Sequence, residues 1–236
     1  MAEAFTVEFP GRPAARAVRV DAEGDLAGAV AALGLEPRPT LVLVGGAGGL
    51  EENDADELRT LFVETVAPLV SELDAQVVDG GTDAGVMRLL GRARHELGLD
   101  FPLIGVAARA TVALPGAAAG EDSAPLEPNH SHFVLVPGSG WGSEAPWLAR
   151  LAGTFAGGEP SATLLVHGGD IAWTDAAESV ENGRTVVTVV GSGGTADTLA
   201  EQADPRAQPL TSSGLVVAAE DGAVAALLRR LLGGER

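Results

Sequence analysis

The chain has no cysteine and no lysine, and none of its apolar runs is long. Without cysteine there is no disulfide framework, no thiol nucleophile and no thiolate metal site. Without lysine, arginine supplies every basic side chain, and the phosphate-binding lysine of a P-loop is excluded. No run approaches the roughly 18 apolar residues that a membrane-spanning helix needs. The opening stretch, Met1 to Pro10, is acidic and too poor in apolar length for a signal peptide, so a cytoplasmic protein is the expectation. Basic side chains are few, with Lys+Arg 15 against Asp+Glu 33 and a formal net charge of -18. Such a charge repels nucleic acid and anionic membranes, so neither is an expected partner. It does not forbid a small anionic ligand, which backbone N–H groups and a few arginines can hold locally.

Apolar residues and glycine are plentiful. The 236 residues are 46% hydrophobic, enough for one large α/β domain over 1–236. The 32 glycines and 14 prolines follow no repeat, so neither collagen nor simple disorder fits. Residues 1–39 read as an N-terminal extension in which Phe5 to Phe9 and Ala15 to Val20 are short strands around the Pro10-Gly11 turn. Asp25 to Leu33 reads as a short helix.

Leu41 to Val44 is wholly apolar, as a strand buried on both faces must be. Asp54 to Leu73 repeats its apolar residues at helical spacing, with Pro68 inside it to kink or divide the helix. Strands then follow at Ala75 to Val78, Pro102 to Ala107, Phe133 to Val136, Ala162 to Val166, Thr185 to Val190 and Leu215 to Ala218. Helices are expected at Ala84 to Leu97, at Ser143 to Phe155 with Ser143 as N-cap, and at Gly222 to Leu232. Residues 108–129 break the rhythm with prolines, glycines and acids, and read as a loop or lid. The alternation of strand and helix argues for an α/β fold: a Rossmann-like, doubly wound, mostly parallel sheet with helices on both faces. Ligands of such folds bind beyond the carboxyl ends of the strands.

Glycine-rich turns fall at those ends. In Asp79-Gly80-Gly81-Thr82-Asp83-Ala84-Gly85 a strand bends into a helix. Gly80, Gly81 and Gly85 leave room for a ligand, and the Thr82 hydroxyl can add a donor to a phosphate oxygen. Gly191-Ser192-Gly193-Gly194-Thr195 repeats the arrangement. Gly45-Gly46-Ala47-Gly48-Gly49 is followed by Glu51, Glu52 and Asp54, which oppose phosphate and suit a sugar's hydroxyls instead. Each turn also has a plain structural reading as a tight bend. None is the dinucleotide fingerprint G-x-G-x-x-G.

Other polar residues gather at strand ends. Glu127-Pro128-Asn129-His130-Ser131-His132 precedes a strand. Asn129 and His130 either touch a ligand or pin the loop. His130, His132 and Glu127 are metal-ligand types, but the sequence places no further ligand, and no metal is expected. His167 and Gly168 end another strand, as ligand contacts or as a structural hydrogen bond. Ser139, in Pro137-Gly138-Ser139-Gly140-Trp141, fails the G-x-S-x-G spacing of a nucleophile elbow. Gly138, Ser139 and Trp141 read as a further wall of the pocket, with Trp141 free to stack on a base.

Asp79-Gly80-Gly81-Thr82-Asp83-Ala84-Gly85-Val86-Met87, followed by Glu127-Pro128-Asn129-His130-Ser131-His132-Phe133 and Gly191-Ser192-Gly193-Gly194-Thr195, resembles the SLOG superfamily. Within it the likeness is to prokaryotic, LSDAT-type relatives of the cytosolic N-terminal domain of TRPM channels, over about Thr40 to Ala200. It implies a Rossmann-like sheet binding a nucleotide-derived ligand such as ADP-ribose, cyclic ADP-ribose or NAD. It also implies a sensor attached to an effector. More distant LOG-type enzymes of this superfamily, once called lysine decarboxylases, carry P-G-G-x-G-T-x-x-E, whose Glu takes part in hydrolysis. Here Ser192 replaces a glycine and Thr198 stands at the Glu position, which favours binding over phosphoribohydrolase chemistry. No catalytic residue and no cofactor is therefore expected. The alternative is a nucleotide hydrolase using Asp170, Asp83 or Asp197 to activate water. A structural partner protein is a third class. The chain leaves room for a homodimer and for a separate effector protein.

Overall fold

Apolar runs too short for helices become strands when both faces of a sheet are covered. In the computed structural model, which describes residues 3–46, 58–117, 120 and 122–234, Leu41, Val42, Leu43 and Val44 are buried inside one such strand. The strands are β1 (Ala4–Val7), β2 (Ala15–Arg19), β3 (Thr40–Gly45), β4 (Gln76–Asp79), β5 (Leu103–Ala108), β6 (Val112–Ala113), β7 (Ala124–Pro125), β8 (His132–Val136), β9 (Ser161–Val166), β10 (Thr185–Val189) and β11 (Val216–Ala219). Nine of them form one sheet in the order β1-β2-β8-β5-β4-β3-β9-β10-β11, and β6 and β7 pair separately. Among the described residues β1 and β2 are antiparallel, and every other pairing in the sheet is parallel. The N-terminal strands are an edge of this sheet, with β2 alongside β8.

Helices cover both faces. They are α1 (Leu26–Leu33), α2 (Ala67–Glu72), α3 (Gly85–Glu96), α4 (Ala145–Ala156), α5 (Asp170–Glu181), α6 (Gly194–Ala200), α7 (Ala207–Thr211) and α8 (Asp221–Leu232). Phe62, Val66 and Val70 from the stretch leading through α2, with Leu90 of α3 and Leu228 of α8, pack on one face of the sheet. Leu33 of α1, Leu151 and Phe155 of α4, Trp173 of α5 and Leu199 of α6 pack on the other. The mixed, mostly parallel sheet between two helical layers is the doubly wound arrangement.

The winding has a reversal that matters for function. From β3 the chain steps through β4 and β5 to β8 on one side. It then returns across the sheet so that β9 pairs with the other side of β3, Gly45 opposite Val166 at the strand ends. Loops leaving β3 and β9 therefore diverge to opposite faces and open a crevice between them.

Several local expectations are refined. The residues ahead of α2 take up Pro68 by widening the helix: Leu61–Val66 is π-helical, and the Ala67 N–H reaches back to the Phe62 carbonyl. The missing proline donor is absorbed by this change of register instead of a break. The first turn of the helix expected from Asp54 lies outside the described residues. α4 begins at Ala145 with Glu144 at its N-cap, so Ser143 is one position too early for that role. α5 has no counterpart in the sequence pattern, because its buried stripe is Ala172, Trp173, Ala176 and Ser179, small or polar but for the tryptophan. The 108–129 segment is clamped along its return arm. Leu126 bridges to Thr82, and the Asp83 and Glu127 N–H groups bond the Pro125 and Gly81 carbonyls at 2.8 and 3.0 Å.

Candidate functional site

The crevice at the β3/β9 reversal holds a cavity of about 560 Å³. Leu43, Val44, Gly45 and Gly46 come to it from the end of β3, Gly80 and Thr82 from the turn after β4, and Ala107 from β5. Trp141, Glu144 and Leu148 come from the loop into α4 and its first turn, and Gly169, Asp170, Ile171, Ala172 and Asp175 from the N-cap and first two turns of α5. Trp141 and Ile171 are both large, apolar and exposed, at 42% and 40%. Both line the cavity.

Three helices begin at this cavity. Their N-cap residues, Ala84 before α3, Glu144 before α4 and Gly169 before α5, all line it. None of the three makes a side-chain capping hydrogen bond. The Val86 N–H of α3 bonds the Gly46 carbonyl at 3.3 Å, the Ala145 N–H of α4 bonds the Gly142 carbonyl at 3.2 Å, and Pro146 in the first turn of α4 has no N–H to offer. Converging amino ends make a positive potential from backbone alone. The side chains oppose it: Glu144, Asp170 and Asp175 line the cavity, and no basic side chain does.

Burial raises the pKa of Glu144. Burial, then Glu144 and Glu178, raise that of Asp175 to about 7. One Glu144 oxygen accepts the Gly142 N–H at 3.3 Å, and the other, Oε2, is buried without a partner among the described residues. The Thr82 hydroxyl is also buried and unpartnered, on a residue only 3% exposed. Buried polar atoms are rarely left so unless something else satisfies them.

Beneath the turn after β4 lies a polar network that sequence reasoning divides between two motifs. His130 is fully buried and sits between two carboxylates, with Nε2 2.8 Å from Asp79 Oδ1 and Nδ1 2.8 Å from Glu127 Oε2. Burial alone would lower its pKa, but Asp79 and Glu127 outweigh that and raise it to about 9, so the imidazole is charged at neutral pH. Glu127 also accepts the Asn129 backbone N–H at 2.8 Å and its side-chain amide at 2.5 Å. Asp79 accepts the Gly81 N–H at 2.7 Å. Asn129 and His130 are thus drawn into the core away from the cavity. There they hold the 108–129 return arm on the end of β4, which in turn places Thr82.

The remaining glycines divide by what surrounds them. Gly45, Gly46 and Gly80 line the cavity, while Gly48 falls outside the described residues. Gly81, at φ +69, is a packing glycine, since a Cβ there would lie 2.8 Å from the Gly105 Cα. Gly85 opens α3 at φ +46. Gly138 lets Ala108 and Ser143 approach, each 2.7 Å from where its Cβ would be, and Ser139 is exposed. None of Gly81, Gly85, Gly138 or Ser139 lines the cavity.

The turn after β10 packs against the turn after β9. Thr195 donates its N–H to the Gly168 carbonyl at 2.9 Å and its hydroxyl to the Gly169 carbonyl at 2.8 Å. The Ser192 hydroxyl accepts the His167 N–H at 2.8 Å. The Gly191 and Gly193 N–H groups, suited to a phosphate, both donate to Asp197, at 2.7 and 3.0 Å. A carboxylate of the chain itself occupies that anion position. His167, Gly168, Gly191, Ser192, Gly193, Gly194 and Thr195 therefore buttress Gly169 from behind, outside the cavity lining.

The carboxylates that sequence reasoning offers for water activation are engaged as well. Asp83 pairs with Arg88 at 2.7 Å, Asp170 with Arg206 at 3.1 Å on the surface, and Asp197 closes its own turn. The polar side chains that matter, Glu144 and Asp175, escape sequence reasoning. Glu144 looks like an ordinary first-turn helix acid, and Asp175 sits on a helix the apolar pattern does not announce. Among the described residues no group of three or more metal-ligand side chains assembles, and no helix is long and apolar enough to cross a membrane.

A family profile described as SLOG in TRPM, prokaryote, matches residues 38–226. Among solved structures, the X-ray structure of the structural-genomics target TM1055 is similar with a TM-score of 0.55. It is 18% identical, and the match covers 80% of this chain and 98% of that one. At that identity the likeness is one of fold.

Proposed function

Because the chain belongs to the SLOG family in its prokaryotic, TRPM-related form, we propose that the β3/β9 crevice binds a nucleotide-derived ligand, with ADP-ribose, cyclic ADP-ribose and NAD the first candidates. The observation that carries this is the cavity of about 560 Å³ at the reversal of strand order, met by the N-cap residues of three helices. Its size is that of a pocket for a small organic ligand. Its walls are apolar with a few polar groups, and a half-exposed tryptophan stands where a base can stack. The phosphates face the amino end of α3, whose first turn carries no acidic side chain, and the ring systems lie against Leu43, Met87, Leu148 and Ile171. Binding without strong catalysis fits best, since Asp83, Asp170 and Asp197 already have partners.

The test is a thermal-shift and calorimetric comparison of ADP-ribose, cyclic ADP-ribose, NAD and AMP, with Trp141→Ala alongside. At least one nucleotide is expected to raise the melting temperature, and Trp141→Ala to weaken it without changing the unliganded melting point. Silence from all four would overturn the proposal. Release of free base or ribose phosphate during the titration would convert it into an enzyme reading.

A further inference from the structure

The polar side of the cavity has the wrong sign for phosphate, and that narrows what lies against it. Glu144, the N-cap of α4, and Asp175, in the second turn of α5, both line the cavity, on two helices that pack side by side on one face of the sheet. They are close enough for the Glu144 charge to act on Asp175. No arginine among the lining residues neutralises them. Glu144 keeps Oε2 without a partner. A second unpartnered polar group, the Thr82 hydroxyl, is 97% buried and belongs to the same lining, since its residue is 3% exposed. Carboxylates in a dry, apolar site repel a phosphate and accept from neutral donors. A pair of adjacent hydroxyls is such a donor, and an acidic side chain at a strand-end crevice is a known way to hold a ribose.

We infer that Glu144 and Asp175 form a diol-binding pair that takes the 2′- and 3′-hydroxyls of the ligand's ribose, with Thr82 as a third polar contact. The inference rests on the nucleotide reading of the same cavity and adds an orientation to it. The sugar is held at the Glu144 and Asp175 carboxylates of α4 and α5, the phosphates point to the amino end of α3, whose first turn carries no acid, and the base lies toward Trp141. It also explains how a chain this acidic holds an anionic ligand: its carboxylates meet the uncharged part, and backbone N–H groups meet the charged part. Glu51, Glu52 and Asp54, which sequence reasoning assigns to a sugar's hydroxyls, lie outside the described residues.

The experiment is calorimetric titration of the full chain with AMP, 2′-deoxyAMP and 3′-deoxyAMP, repeated on Glu144→Gln and Asp175→Asn. At pH 8, above the Asp175 pKa of about 7, wild type is expected to lose on the order of tenfold in affinity or more when either hydroxyl is removed, the range for a hydrogen bond to a charged group. In the two variants the same removal should cost much less, because the acceptor is already impaired. Melting curves of each variant report folding separately. The wild-type series decides the matter by itself if a variant fails to fold. Equal binding of all three nucleotides by wild type overturns the diol pair while leaving nucleotide binding intact. Failure of AMP and both analogues to bind, with ADP-ribose and NAD also silent, overturns the function reading and this inference with it.

Discussion

Raising the pH from about 7.5 to 9.5 should weaken the fold through one histidine. The His130 imidazole has a pKa raised from 6.5 to about 9 by Asp79 and Glu127. A group with a raised folded pKa holds a proton that the unfolded chain has released. Its stabilisation is complete below about pH 6.5 and disappears as the pH climbs through 9. At pH 7.5 most of the folded His130 is charged and most of the unfolded form is not. The linked stabilisation there is about 2 kcal/mol, and by pH 9.5 it is nearly gone. The composition makes this measurable. Without cysteine, lysine or tyrosine, few other groups titrate in that window. His132 is held down to about 4 by burial and by Arg16 and Arg94, so it is already neutral. Asp175 has largely finished titrating at about 7. Urea unfolding at pH 7.5, 8.5 and 9.5 should show the free energy falling by about 2 kcal/mol with an unchanged m-value. His130→Gln should be less stable at pH 7.5 and lose the slope. A flat profile in wild type, or the same slope in His130→Gln, would refute the charged-histidine assignment.

Other substitutions separate packing from binding. Gly91→Ala places a Cβ against the Glu127 carboxylate. It should cost about 1–3 kcal/mol by urea unfolding, despite alanine's better helix propensity. Asp197→Ala strips the Gly191 and Gly193 N–H groups of their acceptor and should cost about 1–2 kcal/mol, with Asp197→Asn recovering part of it. Thr82→Val removes a buried hydroxyl that has no partner among the described residues. Its melting temperature should hold or rise while nucleotide affinity falls about fivefold or more, and a parallel fall in both would mean that Thr82 is structural.

How much of this molecule was legible beforehand differs between fold and site. Leu41 to Val44 could only be a buried strand, because nothing in it tolerates water, and the same holds for Ala162 to Val166. The helical stripe of Val86, Leu90 and Ala93 likewise fixed α3 from spacing alone. α5 was not legible, since its inner face is mostly small and carries a buried serine. The glycine turns were visible as turns, but their chemistry was not. Gly193 and Gly81 share a sequence pattern with ligand-holding glycines, yet one donates to Asp197 and the other packs on Gly105.

By itself the sequence determined the fold class, the strands of the main sheet, the helices with a regular apolar stripe and the family, because these follow from apolar period, turn chemistry and local motif. Which residues face one another was decided only by tertiary structure. The return of β9 to the free side of β3 brought Glu144 and Asp175 to one cavity and Gly46 and Gly80 to its rim. The same packing drew His130 between two buried carboxylates. A side chain's charge and its role depend on what long-range packing places within a few ångströms of it, and that proximity is not encoded in any local stretch of the chain.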